Sequence, residues 1–287
     1  MRTRQLGRWQ VGSVGLGAMP LSIEGRPDEA RSVATLRAAV DAGVTLIDTA
    51  DSYHWHADEV GHNERLIAKA LAGANGVLVA SKGGRGRPGD GSWTVDGRPE
   101  HLVRACEASL RRLGTDRLGL YQLHKPDPAV PWADSVGALR TLLDAGKIEA
   151  AGISNVTCEQ VLQARDILGP GLVSVQNRFS PAVREHAPVL ALCERLGLAF
   201  LPWSPLGGLS RSALDGPPGR EEDPVATPYV AVARARGISP QRVALAWLLA
   251  LSPVLVPIPG ASRPETIRDS AAAMELILEA NELKQLV

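Results

Sequence analysis

No run of about 18 consecutive apolar residues occurs in this 287-residue sequence, which excludes a membrane-spanning helix on length. Net charge is missing too: 31 Lys and Arg offset 31 Asp and Glu, and no block of like charge stands out. That balance argues against nucleic acid or an anionic membrane as the main partner and points to a small molecule. Cysteine is scarce. Cys106, Cys158 and Cys193 are far apart and odd in number, on segments that read as helices, so they fit small core residues better than a disulfide or zinc framework. A reducing cytoplasm suits that usage. The opening stretch MRTRQLGRWQ lacks the apolar core of an export signal, so a cytoplasmic location is expected. The 45% hydrophobic content is enough to bury the core of one large α/β domain over residues 1–287.

Short apolar runs alternate with amphipathic segments of ten to fifteen residues, the rhythm of βαβ units in a parallel sheet. Eight runs read as strands: Val14 to Ala18, Val44 to Asp48, Val77 to Ser81, Leu118 to Leu123, Ile148 to Ile153, Leu172 to Gln176, Leu198 to Pro202 and Val254 to Ile258. Helix signals separate them. Asp28 precedes a face of Val33, Leu36 and Val40, and Leu102, Cys106, Leu110 and Leu113 end at Gly114. Trp132, Val136, Leu139 and Leu143 repeat the pattern before Gly146, and Ser239-Pro240 opens a helix through Trp247. Thr157-x-x-Gln160 and Ser262-x-x-Glu265 have capping-box spacing. Eight such units predict a (β/α)8 barrel. Met1 to Gly12 is expected to form a short hairpin at the barrel bottom, and two long irregular loops, Gly83 to Pro99 and Ser204 to Pro228, leave strands on the C-terminal face. The first is expected to shape a substrate pocket, the second to cover a cofactor.

Strand ends on that face carry the chemistry. Asp48 follows VTLI with Tyr53 five residues on, Lys82 follows GVLVAS and His124 follows LGLYQL. A phenol titrates near 10 and donates a proton more readily when an ammonium lowers that value, and a buried ammonium needs a counter-ion such as Asp48. Together the four make a general acid aimed at an oxygen that becomes alkoxide-like, with His124 orienting the substrate oxygen or sharing the proton. The later strand ends carry Ser154, Asn155 and Gln176, suited to a carboxamide, and Trp203, a flat face for a planar ring. Nicotinamide matches both. Ser262 and Arg263 sit at a helix start past the eighth strand, where amides, helix dipole and a cation suit a phosphorylated ribose.

The chain resembles the aldo-keto reductases in GVTLIDTADSY (Gly43 to Tyr53), VASKGG (Val79 to Gly84), LYQLHKPDP (Leu120 to Pro128), GISN (Gly152 to Asn155), VQNRFSP (Val175 to Pro181), WSPLGGL (Trp203 to Leu209) and IPGASRPE (Ile258 to Glu265). The resemblance implies a barrel that binds NADPH, with NADH less favoured, and reduces an aldehyde or ketone. It implies a catalytic tetrad at Asp48, Tyr53, Lys82 and His124, no metal, and cofactor contacts at Ser154, Asn155, Gln176, Trp203, Ser204, Leu206, Gly260, Ser262 and Arg263. Asp269-Ser270 stands where many members have Glu-Asn near the adenine, which makes Asp269 the adenine-side candidate. The chain ends at Val287 without the C-terminal tail that often sets selectivity. Selectivity is then expected from Met19, Trp55 and Trp93, and the protein is expected to be a monomer or weak homo-oligomer.

Three other readings compete with this one. A metal-dependent hydrolase would draw on His54, His56, Asp58 and His62, but after residue 124 only His186 remains, so the late-strand histidines of such a site are lacking. A Schiff-base aldolase would use Lys82 as nucleophile, which a nearby carboxylate opposes by keeping it charged. A slow nicotinamide-binding regulator is disfavoured by the complete tetrad. Gly12-x-x-Gly15-x-Gly17 misses the dinucleotide-loop spacing.

Overall fold

The computed structural model describes residues 1–209 and 225–286. The chain opens with an antiparallel pair, β1 (Thr3–Leu6) and β2 (Trp9–Gly12). Strand and helix then alternate through β3 (Leu16–Gly17), α1 (Glu29–Asp41), β4 (Leu46–Asp48), α2 (His62–Ala70) and β5 (Leu78–Gly83). A second antiparallel pair, β6 (Arg85–Gly86) and β7 (Thr94–Val95), precedes α3 (Pro99–Leu113). The rhythm resumes with β8 (Leu118–Leu123), α4 (Trp132–Asp144), β9 (Ile148–Ser154), α5 (Cys158–Leu168), β10 (Leu172–Gln176), α6 (Ala187–Leu196) and β11 (Ala199–Phe200). Four further helices follow: α7 (Ala226–Arg236), α8 (Pro240–Leu251), α9 (Pro264–Ala271) and α10 (Ala280–Gln285). None of the described helices is long and apolar enough to cross a membrane.

Seven strands form one parallel sheet in the order β3-β4-β5-β8-β9-β10-β11. The eighth run, Val254 to Ile258, is not a regular strand. It is an extended segment that bonds to both edges of the sheet and so closes the α/β barrel. On one side Phe200 N donates to Val254 O and Val256 N to Phe200 O, both at 2.9 Å. On the other, Gly15 N donates to Pro257 O at 2.9 Å and Gly17 N to Pro259 O at 3.0 Å. Prolines 257 and 259 have no N–H to give back, so the pairing toward β3 is limited to an isolated parallel bridge of Gly17 with Gly260 and does not become a regular strand.

Local signals operate where their chemistry is free to. The Asp28 carboxylate accepts from Arg31 N at 2.8 Å, Thr157 and Gln160 form the reciprocal capping box, and Ser239 accepts from Arg242 N. The Ser262 box does not form. Pro264 starts α9 one residue later, with Arg263 at the N-cap and no side-chain cap. Gly83 to Pro99 is likewise not wholly irregular, because β6 and β7 pair within it. Of the second long connection, positions 210–224 lie outside the described residues.

Apolar side chains form an outer layer between sheet and helices and an inner cluster inside the barrel. Leu46, Leu78, Ala80, Leu120 and Ala150 fill the interior, joined by Leu6 and Val11 of the β1–β2 pair. Each large side chain fully buried there contributes about 1.5–3 kcal/mol. Side chains alternate along a strand, so two residues beyond Leu46, Ala80 and Leu120 the same inward face carries Asp48, Lys82 and Gln122. The barrel interior thus changes from aliphatic to charged within one residue pair. Gly152 makes room for this polar layer: a Cβ there would lie 2.4 Å from Ser174 Oγ and 2.8 Å from Gln122 Cγ.

Candidate active site

A cleft of about 670 Å³ opens over the C-terminal ends of the strands. Asp48, Tyr53 and His124 line its floor, and Lys82 lies beneath them, fully buried at 0% exposure. The Lys82 ammonium donates to Asp48 Oδ1, to Thr49 O at 2.9 Å and to the Tyr53 hydroxyl at 3.0 Å. Its three protons are all accounted for. Asp48 Oδ2 accepts from Gln176 Nε2 at 2.8 Å and from Gln122 Nε2 at 3.1 Å. The ion pair is therefore enclosed by hydrogen bonds, the condition under which a buried pair is tolerated.

Burial works against the charge on Lys82, but Asp48 and Tyr53 outweigh it and hold the ammonium above its ordinary value. Burial pushes the Tyr53 phenol up; the Lys82 ammonium pulls it down without reversing the shift. The expectation of a phenol with a depressed pKa is thus corrected: dehydration of the site exceeds the ammonium's effect in the free protein. His124 is driven well below its ordinary value by burial, Lys82 and Arg85, so its imidazole is neutral. Its ring packs edge-on to Tyr53 with centroids 5.7 Å apart, and its buried Nδ1 has no hydrogen-bond partner among the described residues.

The later strand ends form one wall. Ser154 Oγ donates to Gln176 O at 2.7 Å. Asn155 Nδ2 donates to His124 O at 2.9 Å and to Ser154 Oγ at 3.0 Å. The Trp203 indole donates to Asn155 Oδ1 at 3.2 Å, which fixes the ring against this wall. Asn155 at φ 61° and Ser204 at φ 47° are the positive-φ residues other than glycine in the described chain, a conformation costing of order 1–3 kcal/mol each. Ser204, Leu206, Gly260, Ser262 and Arg263 continue the cleft toward the start of α9. Asp269 also lines it, but its carboxylate is engaged by Arg242 at 2.6 Å and by Ser239.

At the opposite end the cleft is lined by Met19, Trp93, Glu24 and Arg85. Trp55 does not line it. Its indole stacks on the His56 ring, centroids 5.1 Å apart, with the Arg26 guanidinium 5.8 Å from its centre. The histidines of the metal reading are engaged elsewhere: His54 Nδ1 meets His56 O at 2.7 Å and His62 Nδ1 meets Ser22 Oγ at 2.8 Å. Among the described residues no cluster of three or more His, Cys, Asp or Glu could hold a metal ion. Reading from sequence passed over Gln122 and Arg85. A polar residue inside LGLYQL marked the first; nothing local marked the second, since the pairing of β6 with β7 turns it toward the cleft.

A family model for the aldo/keto reductase family matches residues 13–287. The chain is 34% identical to an uncharacterized oxidoreductase of Schizosaccharomyces pombe over 99% of this chain and 88% of that protein. It is 32% identical to a 6-dehydroglucose reductase of Novosphingobium aromaticivorans over 95% of this chain and 90% of that one. An aldo-keto reductase from Klebsiella pneumoniae, solved in complex with NADPH, superposes with a TM-score of 0.80 at 29% identity, covering 99% of this chain and 93% of the other.

Proposed function

Since the chain belongs to the aldo/keto reductase family, we propose that it reduces the carbonyl group of an aldehyde or ketone to the alcohol, with NADPH as electron donor. The observation that carries this reading is the single ammonium of Lys82, bonded at once to Asp48 and to the Tyr53 hydroxyl at the cleft floor. Tyr53 is the proton donor. As the carbonyl oxygen gains negative charge, the Tyr53 Oη–H bond breaks, the proton passes to that oxygen, and the phenolate left behind faces Lys82. Asp48 keeps Lys82 charged throughout. His124, neutral and buried beside Tyr53, orients the carbonyl oxygen through a ring nitrogen.

NADPH, when bound, supplies hydride from C4 of its dihydronicotinamide. The residues present fit it. The Trp203 ring, tethered by Asn155, offers a face for the nicotinamide, and Ser154, Asn155 and Gln176 offer amide and hydroxyl groups for its carboxamide. Ser204, Leu206 and Gly260, which line the cleft, would hold the diphosphate. The uncapped first turn of α9, with Ser262 and Arg263 before it, suits phosphate, because helix-start amides without a side-chain cap seek an anion. Asp269, which lines the cleft beyond them, would border the adenine.

The test is NADPH consumption over a panel of aldehydes and ketones, with NADH and added chelator as controls. NADPH oxidation that survives chelation supports the reading; no oxidation with any carbonyl overturns it. Arg263→Ala is expected to weaken NADPH binding by about tenfold or more while leaving NADH binding nearly unchanged, as loss of one charge-assisted contact to the 2′-phosphate requires. Titration of both nucleotides measures it, and equal weakening of the two would assign Arg263 elsewhere.

A further inference from the structure

At the substrate end of the cleft lies a cation that nothing among the described residues neutralises. β6 and β7 pair Arg85 with Val95, and the guanidinium lies 4.5 Å from the centre of the Trp93 ring. Arg87, two residues on, lies at the same distance from that ring. The two arginines differ in what holds them. Arg87 donates to Glu24 Oε1 at 2.5 Å and to His54 O at 3.1 Å, so its charge and that of Glu24 cancel. Among the described residues no hydrogen bond or ion pair reaches the side chain of Arg85, and its Nε is buried without a partner. Trp93 meets Tyr53 edge-on at 6.5 Å and His124 at 6.4 Å, so this cation sits one aromatic ring away from the proton donor. Its field is felt there: it contributes to the depression of the His124 pKa.

A half-buried guanidinium loses hydration that the face of Trp93 replaces only in part, and its donors need an acceptor. A carboxylate is the complement of that fork. We infer that Arg85 is an anion-binding residue of the substrate pocket and that the preferred substrates are carbonyl compounds bearing a carboxylate. The carbonyl oxygen lies at Tyr53 and His124, and the carboxylate at Arg85 across the edge of Trp93. Glu24, the other charge at this end of the cleft, does not repel such a substrate because Arg87 already matches it.

This inference rests on the reductase reading, and the experiment separates the two. Reduction of 4-formylbenzoate and of 4-formylbenzamide is compared under NADPH; the two aldehydes match in shape and differ in charge. The wild type is expected to favour the carboxylate in kcat/KM by about tenfold or more, in line with a charge-assisted hydrogen bond. In Arg85→Met, which keeps the stem over Trp93, that ratio falls to near unity, and Arg85→Lys restores part of it. A ratio near unity in the wild type, with the amide reduced, overturns the assignment and leaves the reductase reading standing. If neither aldehyde is reduced, the reductase reading is judged on the wider carbonyl panel, and calorimetric titration of the protein with benzoate decides the site. Binding lost in Arg85→Met upholds it; no binding, or binding indifferent to Arg85, overturns it.

Discussion

Tyr53→Phe is expected to bind NADPH about as tightly as the wild type and to reduce aldehydes at about one hundredth of the rate or less. The substitution removes one oxygen atom. Lys82 keeps two of its three partners, Asp48 and Thr49 O, so the buried charge stays satisfied and the barrel interior keeps its geometry. What is lost is the proton that neutralises the developing alkoxide, and positioned general acids are typically worth about 10² to 10⁴ in rate. Steady-state reduction measures the loss, and fluorescence titration with NADPH checks that the cofactor cleft is intact. A variant retaining more than about a tenth of the rate would contradict the role given to Tyr53, since that residue falls outside the usual range for acid catalysis.

The second large effect is on stability. Asp48→Ala is expected to destabilise the protein by about 3–5 kcal/mol, because it leaves the ammonium of Lys82 fully buried without a counter-charge. It also strips the acceptor from the side-chain amides of Gln122 and Gln176. Lys82→Met combined with Asp48→Ala removes both charges at once and is expected to recover a large part of the loss. Urea unfolding midpoints at constant slope report this directly. If Asp48→Ala costs less than about 1 kcal/mol, in the range of a surface pair, the ion pair is not the buried element described. Activity should fall in both variants, since each acts through the same phenol.

Much of this was legible in the sequence because barrel geometry is periodic. The runs Leu118 to Leu123 and Leu172 to Gln176 coincide with β8 and β10, and the order of polar residues past the strands brings Asp48, Tyr53, Lys82 and His124 to one floor. Less legible were features that depend on partners remote in sequence. The segment from Val254 fails as a strand because its prolines meet β3, far back in the chain. Trp55 follows the same strand as Tyr53, yet Arg26 and His56 hold it out of the cleft, a choice no local pattern announces. Ser262 has capping spacing, but Pro264 sets the helix start one residue later. The direction of the Tyr53 shift depended on how dry the site is. Chemistry-bearing residues show a phenol beside an ammonium; only the enclosing side chains reveal that burial outweighs it.

The dependence of kcat/KM on pH tests the central claim most directly, because the two candidate proton donors titrate in opposite directions. Burial raises the phenol above its ordinary value near 10, so a Tyr53 donor stays protonated and active until pH rises past that point. His124 is depressed well below its ordinary value near 6.5, so as a donor it would already have lost its proton at neutrality. The account predicts a plateau from about pH 6 to about pH 10, followed by a fall at higher pH that Tyr53→Phe abolishes along with the activity. A decline of about tenfold or more between pH 6 and 8, following loss of an imidazolium, would assign the proton to His124 and contradict the account.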